Sequence, residues 1–109
     1  MKLIIAIVQD NDANALIDTL TDSGFRVTKL ATTGGFLKSG NTTLLVGVEQ
    51  EKVDEVISQI ESVCKTREQV VTTPSPVAGS TGIYVPYPME VEVGGANIFV
   101  VDVDKFIKI

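Results

Sequence analysis

The segment from Phe25 to Gly47, FRVTKLATTGGFLKSGNTTLLVG, gathers most of the residues whose types suit ligand chemistry. Arg26, Lys29 and Lys38 form a local basic island around Thr32-Thr33-Gly34-Gly35-Phe36-Leu37. Glycines let backbone N–H groups approach a phosphate, hydroxyls add donors, and an exposed aromatic offers a face to a base. Asn41 carries the paired donor and acceptor that an adenine edge needs, and Gly47 leaves room for a ring against a strand. Each residue also has an ordinary reading: hairpin glycines, a core phenylalanine, a solvated strand arginine, a turn asparagine. The segment is not a Walker loop, because no Gly-Lys-Ser/Thr follows its glycines. On residue chemistry alone it is a nucleotide or anion site in outline.

Composition narrows what such a site can do. Histidine is absent and Cys64 is the single cysteine, which removes the commonest general base and metal ligand. We therefore expect no catalytic residues, no metal and no enzyme. A net charge of −5 argues against duplex DNA, RNA or an anionic membrane as partner, since these need a basic surface. The carboxylates Asp10, Asp12, Asp18 and Asp22, and likewise Glu51, Asp54, Glu55 and Glu61, read as helix starts and solvated faces. No apolar run is long enough to cross a bilayer, and the opening lacks a small-residue cleavage site, so a cytoplasmic protein is expected.

The elements that must position these residues follow from periodicity. Lys2 to Gln9, KLIIAIVQ, is apolar on both alternating faces, as in a strand covered on both sides. Ala13, Leu16, Ile17 and Leu20 recur at helical spacing, with Asp10 and Asn11 as capping candidates and Gly24 as the stop. Phe25 to Leu30 and Thr42 to Val48 read as strands. Val53, Val56, Ile57, Ile60, Val63 and Cys64 set the period of a second helix. Thr72 to Gly95 holds all four prolines and Gly79, Gly82, Gly94 and Gly95. That segment reads as a long, partly mobile loop, in which Ile83–Val85 and Met89–Val93 can pair as short strands around Pro86-Tyr87-Pro88. Asn97 to Val103 is the last strand. The order predicts one α+β domain over 1–109 with a ferredoxin-like βαββαβ fold. Two helices cover only one face of a four-stranded sheet, so the other face is expected to be buried against further subunits.

At Thr28, Thr33-Gly34-Gly35-Phe36-Leu37, Gly40-Asn41-Thr42-Thr43 and Gly47 the sequence resembles the PII-like cyclic di-AMP receptor family of Gram-positive bacteria. The likeness extends through KLIIAIVQ to GIYVPYPMEVEVGGANIFVVDVDKF. It implies a homotrimer with a short loop between strands two and three and a long one before the last strand. Cyclic di-AMP is then the ligand, held in each intersubunit cleft without turnover, and its binding changes loop conformation to signal to a downstream protein. By that resemblance Arg26, Thr28, Gly35, Phe36, Leu37, Asn41 and Gly47 bind the ligand. Asn41 and the backbone near Gly47 read an adenine, Phe36 stacks, and Arg26 and Thr28 face phosphate and ribose. Phe99 and the C-terminal tail, with Lys108 in place of the family's glutamine, reach in from a neighbour. Residue chemistry alone also permits a PII-type sensor of ATP or ADP, or a protein-interaction adaptor.

Overall fold

The structure, a computed structural model, describes residues 1–30, 40–76 and 84–109. Strand β1 (Lys2–Gln9) leads straight into helix α1 (Asp10–Asp22). After α1 come β2 (Val27–Leu30), β3 (Asn41–Val48), a short 3-10 turn (Gln50–Lys52) and helix α2 (Val53–Cys64). Strands β4 (Arg67–Pro76), β5 (Tyr84–Val93) and β6 (Ala96–Asp102) complete the chain. A four-stranded sheet runs in the order β2-β3-β1-β6 with every neighbour antiparallel. That order and the two crossover helices are the ferredoxin-like arrangement.

The parity of β1 decides which face the helices take. Ile4, Ala6 and Val8 are buried, and so are Leu44 and Val46, their register partners or neighbours on β3. Against them pack Ala13, Leu16 and Leu20 of α1 and Val56, Ile60 and Cys64 of α2. Each fully buried Leu or Ile here contributes about 1.5–3 kcal/mol. The helix periods predicted from the sequence are therefore the ones the core uses.

The opposite face carries Leu3, Ile5 and Ile7 of β1, Leu45 of β3 and Leu30 of β2 by the same alternation. Phe99 and Val101, opposite Ile5 and Leu3 on β6, are 55% and 42% exposed. Among the described residues no helix covers this face.

Two local expectations change. Gln9, not Asp10 or Asn11, is the N-cap residue of α1, and it makes no side-chain cap; Asp10 and Asp12 are engaged elsewhere, as described below. Strand β2 begins at Val27 rather than Phe25.

The larger difference lies in the segment read as a loop with two short strands. There β5 runs unbroken from Tyr84 to Val93 and pairs along its length with β4, forming a two-stranded arm. Ten residues of strand span about 33 Å, in keeping with a molecule measuring 66 × 29 × 21 Å. Pro74 faces Pro86, Pro88 faces Thr72 and Pro76 faces Tyr84. A Pro–Pro pair cannot exchange N–H···O bonds, so it occupies a non-hydrogen-bonded position of the ladder. All four prolines share that parity, and the ladder loses no bond to them.

Candidate ligand-binding site

The uncovered sheet face ends in two clefts, one at each end of β3. The first collects around Arg26 and Gly47. Val27 pairs with Val46, so Arg26 comes alongside Gly47 at the end of β3. Both residues are exposed and line a cleft of about 400 Å³ with Gly24, Lys52, Phe106 and Lys108. Arg26, Lys52 and Lys108 give this end three cationic side chains, Glu49 adds a carboxylate 3.9 Å from the Met1 ammonium, and Phe106, 64% exposed, gives it an aromatic face. Such a set suits a phosphodiester beside a ring. Thr28 is exposed two residues along β2 from Arg26, opposite Leu45.

The second cleft lies at the other end of β3. Asn41 is exposed, pairs with Gln9 across the ladder and lines a polar cleft of about 330 Å³ with Gln9, Thr66, Gly94, Gly95 and Asn97. A smaller adjoining pocket of about 140 Å³ is formed by Gln9, Asp10, Asn11, Gly40 and Asn41. Asp10 builds this end. Its Oδ2 accepts from Gly40 N–H at 3.1 Å and its Oδ1 from Thr42 Oγ1 at 2.5 Å. Its own N–H donates to Gly40 O at 3.3 Å. Asn41 thus stands between two residues tied to the same carboxylate.

Asn41 and Gly47 sit on one face of β3 but six residues apart, about 20 Å at strand rise. Within one chain they attend different ends of the face, not a single adenine. Gly35, Phe36 and Leu37 lie outside the described residues. The described chain resumes at Gly40, next to Asn41 at the start of β3. Sequence reasoning placed the tail at the site only through the resemblance; the structure sets Phe106 and Lys108 of the same chain beside Arg26. Lys52 had no signal beyond its charge.

Beyond the Asn41 cleft, the root of the arm is tied to α1. Asp12, 5% exposed, holds the Arg67 guanidinium through Nη2–Oδ1 at 2.7 Å and Nη1–Oδ2 at 3.5 Å. The hydrogen bond to Asp12 raises the pKa of Arg67 above its ordinary value, so this cation is permanent. Arg67 Nη1 also donates to Lys65 O at 3.1 Å. Gly94 N–H donates to Gln9 Oε1 at 2.7 Å, and Gly95 N–H to Cys64 O. Burial, then the nearby Asp12 charge, pushes the Cys64 thiol up to about 11, partly countered by Arg67. Cys64 is therefore a packing residue rather than a nucleophile.

Among the described residues no group of three or more His, Cys, Asp or Glu side chains can hold a metal, and no helix is long and apolar enough to cross a membrane.

A family model described as cyclic-di-AMP receptor matches residues 1–109. Among solved structures the chain is similar to one described as a functionally unknown protein from Pediococcus pentosaceus ATCC 25745. The two are 47% identical, the match covers 99% of this chain and 96% of that chain, and the TM-score is 0.77. With a match over its full length, the chain belongs to the cyclic di-AMP receptor family, a family of binding proteins that act in signalling.

Proposed function

We propose that this receptor binds cyclic di-AMP in clefts between the subunits of a homotrimer, without turning it over, and passes the signal to a protein partner in the cytoplasm. The observation that carries the reading is the uncovered sheet face. Leu30, Phe99 and Val101 are 43%, 55% and 42% exposed there. An apolar face of this kind is covered in a stable protein by another surface. Packing the open faces of three copies around a common axis covers it and sets the polar ends of one chain beside those of its neighbours.

In this arrangement Arg26 and Thr28 face phosphate and ribose, the backbone at Gly47 lies against a ring, and Asn41 reads an adenine edge. Because Asn41 and Gly47 are about 20 Å apart on one strand, they serve different parts of the ligand or different clefts. Gly35, Phe36 and Leu37 belong to the same proposed site, with Phe36 stacking on a base. Lys108, beside Arg26, adds a second cation near the phosphates.

The test is calorimetric titration with cyclic di-AMP, alongside ATP, cyclic di-GMP and an Asn41→Ala variant, with the mass in solution measured by light scattering. One selective ligand per subunit of a three-subunit species, weakened at least tenfold by Asn41→Ala, is expected. Preference for ATP moves the protein to an ATP/ADP sensor, and no heat with any nucleotide moves it to an interaction adaptor. Chromatography of the nucleotide after overnight incubation is expected to return it intact.

A further inference from the structure

Four consecutive residues at the β1–α1 junction, Gln9 to Asp12, hold three things that are far apart in sequence. Gln9 Oε1 accepts from Gly94, the residue that follows β5. Asp10 takes Gly40 N–H and Thr42 Oγ1, on either side of Asn41. Asp12 holds Arg67, the first residue of β4. One short segment therefore fixes both roots of the arm and the strand end that presents Asn41.

These bonds all spring from one short run of backbone. Gln9 and Asp10 are adjacent at the point where strand becomes helix, and Asp12 is buried in the first turn of α1. There the helix dipole and the Arg67 guanidinium both hold its carboxylate in place. Gly94 has no slack either: a Cβ added to it would lie 2.5 Å from Lys65 O and 2.8 Å from Arg67 Nη1. Asn41 and Gly94 moreover line the same cleft, so an occupant touching Asn41 lies next to the arm's root.

We propose that the Gln9–Asp12 junction is a coupling element: it positions Asn41 and ties that position to the seating of the β4–β5 arm, so that occupancy at Asn41 alters the arm. The ligand half of this proposal rests on the receptor reading above; the mechanical half does not. Asp10 and Gln9 are positioning residues in this scheme.

The experiment is amide hydrogen exchange by NMR on the full chain without nucleotide, normalised to core amides such as that of Leu44. Thr42→Val removes a bond on the Asn41 side and is read at Gly94. Gln9→Met removes a bond on the arm side and is read at Gly40. Coupling predicts that each change speeds exchange at the remote glycine about fivefold or more, since coupling between sites is reciprocal. Thr42→Ser, which keeps the hydroxyl, restores the rate at Gly94.

Remote effects below twofold, with each change felt only by its own neighbour, overturn the coupling. Adding cyclic di-AMP to the unaltered protein separates the two ideas. Slowed exchange at Gly40 together with slowing at Val91, an arm amide that does not line the cleft, supports the coupling. Slowing at Gly40 without slowing at Val91 overturns it and leaves the receptor reading intact. No binding heat and no change anywhere overturns the receptor reading, and the remote effects measured without nucleotide still decide the coupling.

Discussion

Gly94→Ala should destabilise the protein far more than Gly24→Ala, although both glycines have φ of +91°. At that φ an L residue strains its backbone by about 1–2 kcal/mol. Gly24 adds nothing to this, because no atom lies within 4 Å of where its Cβ would stand. Gly94 adds a collision with Lys65 O at 2.5 Å, Arg67 Nη1 at 2.8 Å and Cys64 O at 2.9 Å. Two of these are backbone carbonyls at the end of α2, which cannot rotate away as a side chain can. Overpacking of this kind costs about 1–3 kcal/mol, giving a total of about 2–5 kcal/mol for Gly94→Ala. At about 4 °C per kcal/mol for a chain of this size, the expected drop in Tm is about 8–20 °C, against about 4–8 °C for Gly24→Ala. Thermal unfolding followed by circular dichroism, at one protein concentration because assembly shifts Tm, measures both. Equal losses for the two variants would show that the α2–arm joint is loose enough to absorb a methyl group, and the argument for a tight joint would be wrong.

Gly47→Ala should not lower Tm and should raise it by about 2–4 °C, because nothing lies within 4 Å of its Cβ position and alanine narrows the unfolded chain by about 0.4–1 kcal/mol; weaker cyclic di-AMP binding by calorimetry then reports a ring against the strand. Phe99→Glu places a charge on the uncovered sheet face and should shift the light-scattering mass toward the single chain, whereas an unchanged mass rules that face out as the contact between copies. Cys64, 1% exposed with its pKa raised from 9.0 to about 11, should resist a thiol reagent at pH 8 until the protein is unfolded. Because the folded thiol keeps its proton above the pH at which the unfolded one loses it, stability should be unaffected below about pH 9 and fall by about 2–3 kcal/mol as pH rises through 11. A Cys64→Ala variant should lose that alkaline dependence.

The core was legible in the sequence because two faces of β1 and one face of each helix carry a clean apolar period. Ile4, Ala6 and Val8 bury against the helices, and Leu3, Ile5 and Ile7 remain half-buried on the side where two helices cannot reach. The arm was not legible, since prolines spaced two apart look like a loop until the register shows that each occupies a position whose amide faces away from the partner strand. Asp10 and Asp12 read as caps and solvated acids because nothing local reveals that their partners lie 30 and 55 residues away. At the candidate site, Arg26 and Gly47 come together as their strand patterns imply. The distance between Asn41 and Gly47, and the approach of Phe106 and Lys108 to Arg26, depend on strand length and the path of the tail, which composition does not encode.

The parity of the prolines has one more consequence. A two-stranded ribbon exposes a row of outward amides on each edge, and such rows recruit further strands into fibrous aggregates. On the outer half of the arm those rows would be formed by Thr72, Pro74 and Pro76 on one edge and Tyr84, Pro86 and Pro88 on the other, and proline has no amide hydrogen to offer. On the inner half the corresponding positions include Glu68 facing Glu92, and Glu90 facing Val70, where an incoming strand would meet like charge. Proline at the far end and carboxylate at the near end thus let the chain hold out a long, unsupported pair of strands while denying a third strand a place to add.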